Sequence, residues 1–219
     1  MRRTIAVGMA IELLVFALLL FGGAGTWRWA AGWRLLVLFA TFSGFLIRSL
    51  EVHDPELLAE RMKAPWQKGQ PMWDKVFMGV LSIGWCAWMF LMGRHHVTPP
   101  PLAGLGVLGL ALGNLIVERT FRENPFTAPV VKIQAERHHR VIDTGPYAIV
   151  RHPMYTGAIL YIPSMALILG SSWGLATSLL FIIAIAWRST QEEAELAHHL
   201  PGYDEYRKRV RYRMIPGVW

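Results

Sequence analysis

The chain has 219 residues, of which 53% are apolar; ten are Trp, and the net charge is +7. A soluble domain this apolar would expose large greasy patches that a bilayer would instead cover. Its cations lie in loops between apolar runs, which points to anionic headgroups rather than nucleic acid, and the lone Cys86 excludes an intrachain disulfide.

A helical bilayer crossing takes about 20 mostly apolar residues. The first candidate, 5–21, follows Arg2 and Arg3. Its flanks resemble a signal peptide, but several further apolar runs follow, so it is expected to stay as an uncleaved anchor. Further spans are predicted over 33–47, 76–92 and 102–117. The apolar region 156–187 is too long for one crossing and is interrupted by Gly170-Ser171-Ser172-Trp173-Gly174. It predicts a helical hairpin whose first arm carries a kink at Pro163. The predicted fold is therefore all-α, an integral membrane helical bundle of five to six spans. All Lys and Arg except Arg28, Arg34 and Arg94 fall on one side of these spans. That asymmetry assigns both termini to the cytoplasm, and so compact a bundle is expected in a bacterial inner membrane. Beyond the last span, Pro201-Gly202 breaks the helix. Tyr203, Tyr206 and Val210, spaced against Arg207, Lys208, Arg209 and Arg211, predict an interfacial amphipathic helix with its aromatic face in lipid.

Several motifs have ordinary explanations. Gly104-Leu105-Gly106-Val107-Leu108-Gly109 has the spacing of a dinucleotide fingerprint but lies within an apolar span, with no strand before it. Gly109 and Gly113 instead have the small-xxx-small spacing of close helix packing. Adjacent His pairs at 95–96, 138–139 and 198–199 point about 100° apart on a helix, and no Cys cluster accompanies them, so no metal is expected. Glu12, Asn114 and Glu118 lie in or at the end of spans and fit either a functional or a helix-pairing role.

Two stretches carry more information. In the first, His139 to Tyr147 leads through the turn at Gly145-Pro146 into Arg151-His152-Pro153-Met154-Tyr155-Thr156-Gly157. Pro153 suits the first position of a helix, whose free N–H groups, with His152 and Tyr155 beside them, favour anionic or polar ligand atoms. A loop entering a membrane helix has the same pattern. In the second, Arg188, Glu192 and Glu195 share one helical face directly after the last span, as they would in a surface salt-bridge ladder.

Together, Gly145-Pro146-Tyr147, Arg151-His152-Pro153-Met154-Tyr155-Thr156-Gly157, Glu192-Glu193 and Ile215-Pro216-Gly217 resemble the isoprenylcysteine carboxyl methyltransferase family. Phospholipid methyltransferases share its R-H-P-x-Y and Glu-Glu elements. The resemblance covers 121–219, and Leu200-Pro201-Gly202-Tyr203 departs from the usual Phe-Gly-x-x-Tyr. The chain is expected to be a single membrane domain over 1–219 with four spans in 1–118, and the resemblance implies a cofactor-binding catalytic half in 119–219. The polar cytoplasmic loop and the C-terminal helix would cap the site. It also implies S-adenosylmethionine held by His139, Val141, Ile142, Tyr147, His152, Pro153, Met154, Tyr155 and Glu192, the last on the donor's amino group. Arg188 would face a lipid-linked or hydrophobic methyl acceptor.

The implied chemistry is in-line displacement at a sulfonium methyl, served by positioning and electrostatics. A carboxylate acceptor, the first expectation, needs only orientation, for which Arg188 offers a bidentate fork. A phospholipid amine or a small thiol must first lose a proton, to Glu193, Glu195 or His152. An NADPH-dependent membrane reductase and a non-enzymatic membrane protein are the rivals from other classes. A transporter would show broken helices paired between two halves, and the sequence has no such pairing.

Overall fold

A computed structural model describes residues 2–97 and 100–219, without the side chain of Arg2, one of the two N-terminal cations used in the topology argument. The described residues form eight α-helices: α1 (Arg2–Ala24), α2 (Ala30–His53), α3 (Pro55–Arg61), α4 (Met72–Arg94), α5 (Ala103–Glu123), α6 (Pro153–Leu169), α7 (Ser172–His199) and α8 (Tyr203–Arg209). No strand occurs among them. Five are long and apolar enough to cross a membrane: Arg3–Ala24, Ala30–His53, Met72–Arg94, Ala103–Glu123 and Ser172–His199. The sixth apolar helix, α6, has 17 residues and runs unbroken through Pro163. The apolar hairpin divides where the sequence predicts, because Gly170 holds φ +69° between α6 and α7, a conformation cheap only for glycine.

The chain packs as two compact units. One comprises Met1–Leu46, Gly79–Leu112 and Leu160–Phe181. Within it α1 and α4 approach backbone to backbone: a Cβ on Gly23 would collide with the Phe90 carbonyl, and one on Gly93 with that of Leu20. Two glycines of the fingerprint-like run, Gly106 and Gly109, serve the same purpose. A Cβ on Gly106 would lie 2.7 Å from the Ser164 carbonyl of α6, which is helix packing rather than phosphate binding. Trp88 donates to the Gly174 carbonyl at 3.1 Å and to Thr177 at 3.0 Å. Phe21, Trp27, Trp29 and Trp33 gather around the turn after α1, as aromatic side chains do at a membrane interface.

The other unit comprises Ile47–Met78, Gly113–Ile159 and Ile182–Trp219. It holds nearly all the basic loops and both informative stretches. Asp54 caps α3 by accepting from Leu57 N at 2.8 Å, and α3 buries Leu57 and Leu58. The interfacial expectation for the C-terminal helix is corrected here. Tyr203 (4% exposed), Tyr206 (2%) and Val210 (9%) pack with Tyr147 and Leu200 in a protein core rather than facing lipid. The Tyr206 hydroxyl donates to the Tyr147 carbonyl at 2.8 Å.

Candidate active site

The site lies in the second unit and is assembled from four segments. The C-terminal part of α7 presents Arg188, Glu192 and Glu195, and the start of α6 presents His152, Met154 and Tyr155. The start of α4 supplies Asp74, and the loop between α5 and α6 supplies the remaining wall. Arg188, Glu192, Glu195, Met154, Tyr155 and the loop line a cavity of ≈ 270 Å³ whose wall also includes Phe126, His139 and Tyr147.

A directed hydrogen-bond chain runs along one wall. Asp74 has no solvent exposure; its Oδ1 accepts from Arg188 Nε at 2.9 Å, and its Oδ2 accepts from Val131 N at 2.9 Å and Gln70 Nε2 at 2.8 Å. Arg188 Nη1 donates to the Tyr155 hydroxyl at 2.7 Å, and Nη2 to the Pro129 carbonyl at 3.2 Å. Tyr155 in turn donates to Glu192 Oε2 at 2.7 Å. Burying Arg188 would be costly alone; the Asp74 carboxylate and the carbonyl offset that cost.

The adjacent glutamate does a different job. Glu193, 4% exposed, accepts from Arg151 Nε at 2.7 Å, Arg213 Nε at 3.0 Å and His152 Nε2 at 3.1 Å. Arg151 Nη1 also donates to the Val210 and Arg211 carbonyls, both at 2.7 Å. Glu193 thus ties the α6 start, α7 and the C-terminal tail together. No Lys or Arg lies within ion-pair distance of Glu192 among the described residues; the nearest basic side chain paired with it is His152, Nδ1 at 3.9 Å.

The polar loop is laced to itself. Asn124 Oδ1 accepts from Phe126 N at 2.9 Å, and Asn124 Nδ2 donates to the Tyr147 hydroxyl at 2.9 Å. Gln134, fully buried, donates to the Phe126 carbonyl at 2.7 Å. Arg61 reaches in from α3 to the Thr127 carbonyl at 2.8 Å. His139 stacks on Phe126 with ring centroids 4.5 Å apart. Burial, with the Arg137 charge behind it, lowers the His139 pKa to about 4. Burial also pushes the Tyr147 phenol up to about 12, so it remains a neutral hydroxyl.

Of the residues singled out from sequence, His139, Tyr147, Met154, Tyr155, Arg188 and Glu192 converge on the main cavity. His152 lines a smaller one beside it. Val141 and Ile142 pack against the Tyr203 cluster instead, and Pro153 opens α6; none of these three lines either cavity. Asp74 and the wall from Phe126 to Ile133 escaped sequence reading. Asp74 looks like any acid in a first helical turn, and its Arg188 partner is 114 residues away. Among the described residues no group of His, Cys, Asp and Glu is arranged as metal ligands.

Residues 102–201, just under half of the chain, match the phospholipid methyltransferase family. No curated protein matches the chain. The family match ends beyond Glu192 and Glu193 and takes in the whole α5–α6 loop, so both informative stretches lie within it.

Proposed function

We propose that the protein transfers the methyl group of S-adenosylmethionine to a lipid-linked or hydrophobic acceptor at the cytoplasmic face of the membrane. The observation that carries this is Glu192: a carboxylate on a cavity wall with no Lys or Arg partner among the described residues, beside the fully engaged Glu193. Such a group favours a cationic ligand, and the methyl donor brings both an ammonium and a sulfonium. His139, Tyr147, His152, Met154 and Tyr155 would surround the donor, with Val141, Ile142 and Pro153 supporting them from behind. Arg188 would lie on the acceptor side.

The charge balance of the wall favours an amine acceptor over a carboxylate. Asp74 neutralises Arg188, and Arg188 Nε, Nη1 and Nη2 each already have a partner. Lys132, the other cation on the wall, is paired with Glu60, so Glu192 and Glu195 leave the wall net negative, which would repel a carboxylate acceptor and hold an amine. In the transfer a C–N bond forms as the sulfonium C–S bond breaks, and positive charge moves from sulfur to nitrogen. The amine must attack unprotonated, and Glu195, near Trp73 Nε1 at 3.5 Å, is placed to accept the released proton. Carboxylate O-methylation, with Arg188 as the orienting group, is the competing reaction.

Calorimetry on the detergent-purified protein checks the donor: saturable binding of S-adenosylmethionine and none of NADPH is expected. Glu192→Gln should weaken donor binding by roughly 10-fold or more, the scale of a charged hydrogen bond. Unchanged affinity in that variant would refute the assignment of Glu192. Labelled methyl transfer should appear on an amine-bearing phospholipid; appearance on a prenylated cysteine carboxylate alone would restore the carboxylate reaction.

A further inference from the structure

Three aromatic rings adjoin Glu195 just outside the main cavity. Trp73 and Phe77 lie one turn apart on α4, and Trp187 meets them from α7. The indoles of Trp73 and Trp187 are perpendicular, with ring centroids 5.7 Å apart at 88°, and the Phe77 ring lies 5.5 Å from Trp187. Trp73 is tied to the site itself: its Nε1 donates to Oε1 of Glu195, a carboxylate on the cavity wall, at 3.5 Å. Tryptophans are common at membrane interfaces, where the indole N–H reaches the wet side. Here that N–H serves a side chain of the site instead.

The charges around these rings leave one role open. Phe77 already carries a cation: the Arg188 guanidinium lies 5.8 Å from its centroid, and Asp74 neutralises that charge. No Lys or Arg lies over Trp73 or Trp187 among the described residues, and Trp187 is 46% exposed. Glu195 likewise has no Lys or Arg partner among them. Its second oxygen lies 3.5 Å from His199 Nδ1, which donates to the Glu195 carbonyl at 3.0 Å. Indole is the aromatic face that attracts a cation best. Two perpendicular indoles beside a carboxylate suit an alkylammonium, whose charge goes to the carboxylate and whose alkyl groups go to the rings. Each methyl added to an ammonium replaces an N–H donor with a surface that hydrogen-bond acceptors cannot use and a π face can.

We infer that Trp73, Trp187 and Glu195 form the binding site for the acceptor's amine headgroup, and that this site holds N-methylated amines more tightly than primary ones. This rests on the amine reading of the acceptor and deepens it. Glu192 and Glu195 are three residues apart on α7, which puts their Cβ atoms about 5–6 Å from each other. A nitrogen held at Glu195 is therefore within reach of a methyl group carried beside Glu192. A carboxylate acceptor has no use for the two indole faces, so the rings favour the amine independently of the net charge of the wall.

Two short-chain phospholipids test this as inhibitors of methyl transfer to an amine-bearing phospholipid by the full-length protein in detergent. One ends in trimethylammonium, the other in its uncharged tert-butyl isostere. In the wild type the charged lipid should inhibit about 10-fold more strongly, the scale of a cation held on indole. Trp73→Leu and Trp187→Leu should each cut that ratio about 5-fold and leave S-adenosylmethionine affinity by calorimetry unchanged. Trp73→Phe and Trp187→Phe, which keep a ring face, should retain most of the ratio. Equal inhibition by the two lipids in the wild type overturns the proposal, and so does an undiminished ratio in both Leu variants. Donor affinity lost in step with the ratio overturns it as well, by marking the tryptophans as structural. In each of these cases amine methylation by the wild type leaves the acceptor reading standing. Wild-type protein that binds the donor and methylates only a carboxylate overturns that reading along with the proposal.

Discussion

Asp74 shows how much one side chain organises here. Its two oxygens accept from α7, from the polar loop and from the turn before α4, all without solvent contact. Glu192 and Glu193 make the complementary point. They are neighbours in sequence, but successive residues on a helix diverge by about 100°, so one faces the cavity and the other is held by Arg151, His152 and Arg213. Sequence marks the pair; only the partners tell the two apart. His139 belongs to the same scale. Its pKa is lowered from the ordinary 6.5 to about 4 by burial and then by Arg137, and its Nδ1 accepts a long hydrogen bond from Gln134 N at 3.4 Å. Between pH 6.5 and 4 the unfolded chain binds a proton at His139 that the folded chain refuses, so stability falls with pH across that window and levels off below it. Melting curves of wild type and His139→Gln in detergent should therefore diverge below pH 6.5, the wild type losing more. Parallel curves would remove His139 from the acid sensitivity.

At the scale of elements, the start of α6 is held from two sides. The C-terminal tail reaches back to it through backbone bonds, Arg151 N to the Tyr212 carbonyl at 3.0 Å and His152 N to the Arg213 carbonyl at 2.8 Å. Thr156 donates to the Met214 carbonyl at 2.7 Å. On the other side Gly157 meets α5: a Cβ there would lie 2.7 Å from the Gly113 carbonyl and 2.8 Å from the Val117 side chain. Gly157→Val should push α6 away from α5, costing about 1–3 kcal/mol by overpacking and displacing Tyr155 and His152. A lowered melting temperature together with weakened donor binding is expected; wild-type values for both would mean the two helices yield freely. Sequence marks the α5 glycines as a packing surface but does not name the helix they face. The same limit explains α8, whose alternating tyrosines and cations suit a lipid surface as well as a protein core. The nearby Tyr147 loop captures the aromatic side.

For the whole molecule, hydropathy and charge make one testable statement about orientation. With Cys86 replaced by Ser, a cysteine introduced at Lys208 should react with a membrane-impermeant thiol reagent only after the membrane is opened. One at Arg28 should react in sealed cells. The reverse pattern would turn the bundle over and move the active site to the opposite face.

The sequence by itself determined the helical class, the positions of the apolar helices, the hairpin break at Gly170 and the two stretches from which the site is built. Those signals are local: the length of an apolar run, a glycine or proline at a turn, a charge beside a span. The tertiary structure decided which residues meet. The Asp74–Arg188 pair joins side chains 114 positions apart, Tyr203 reaches the cavity from the C-terminal helix, and the loop from Phe126 to Ile133 closes a wall that its composition does not announce. Each depends on contacts between distant segments, chosen by packing and by the need to pair every buried charge, and such choices leave no periodic trace along the chain.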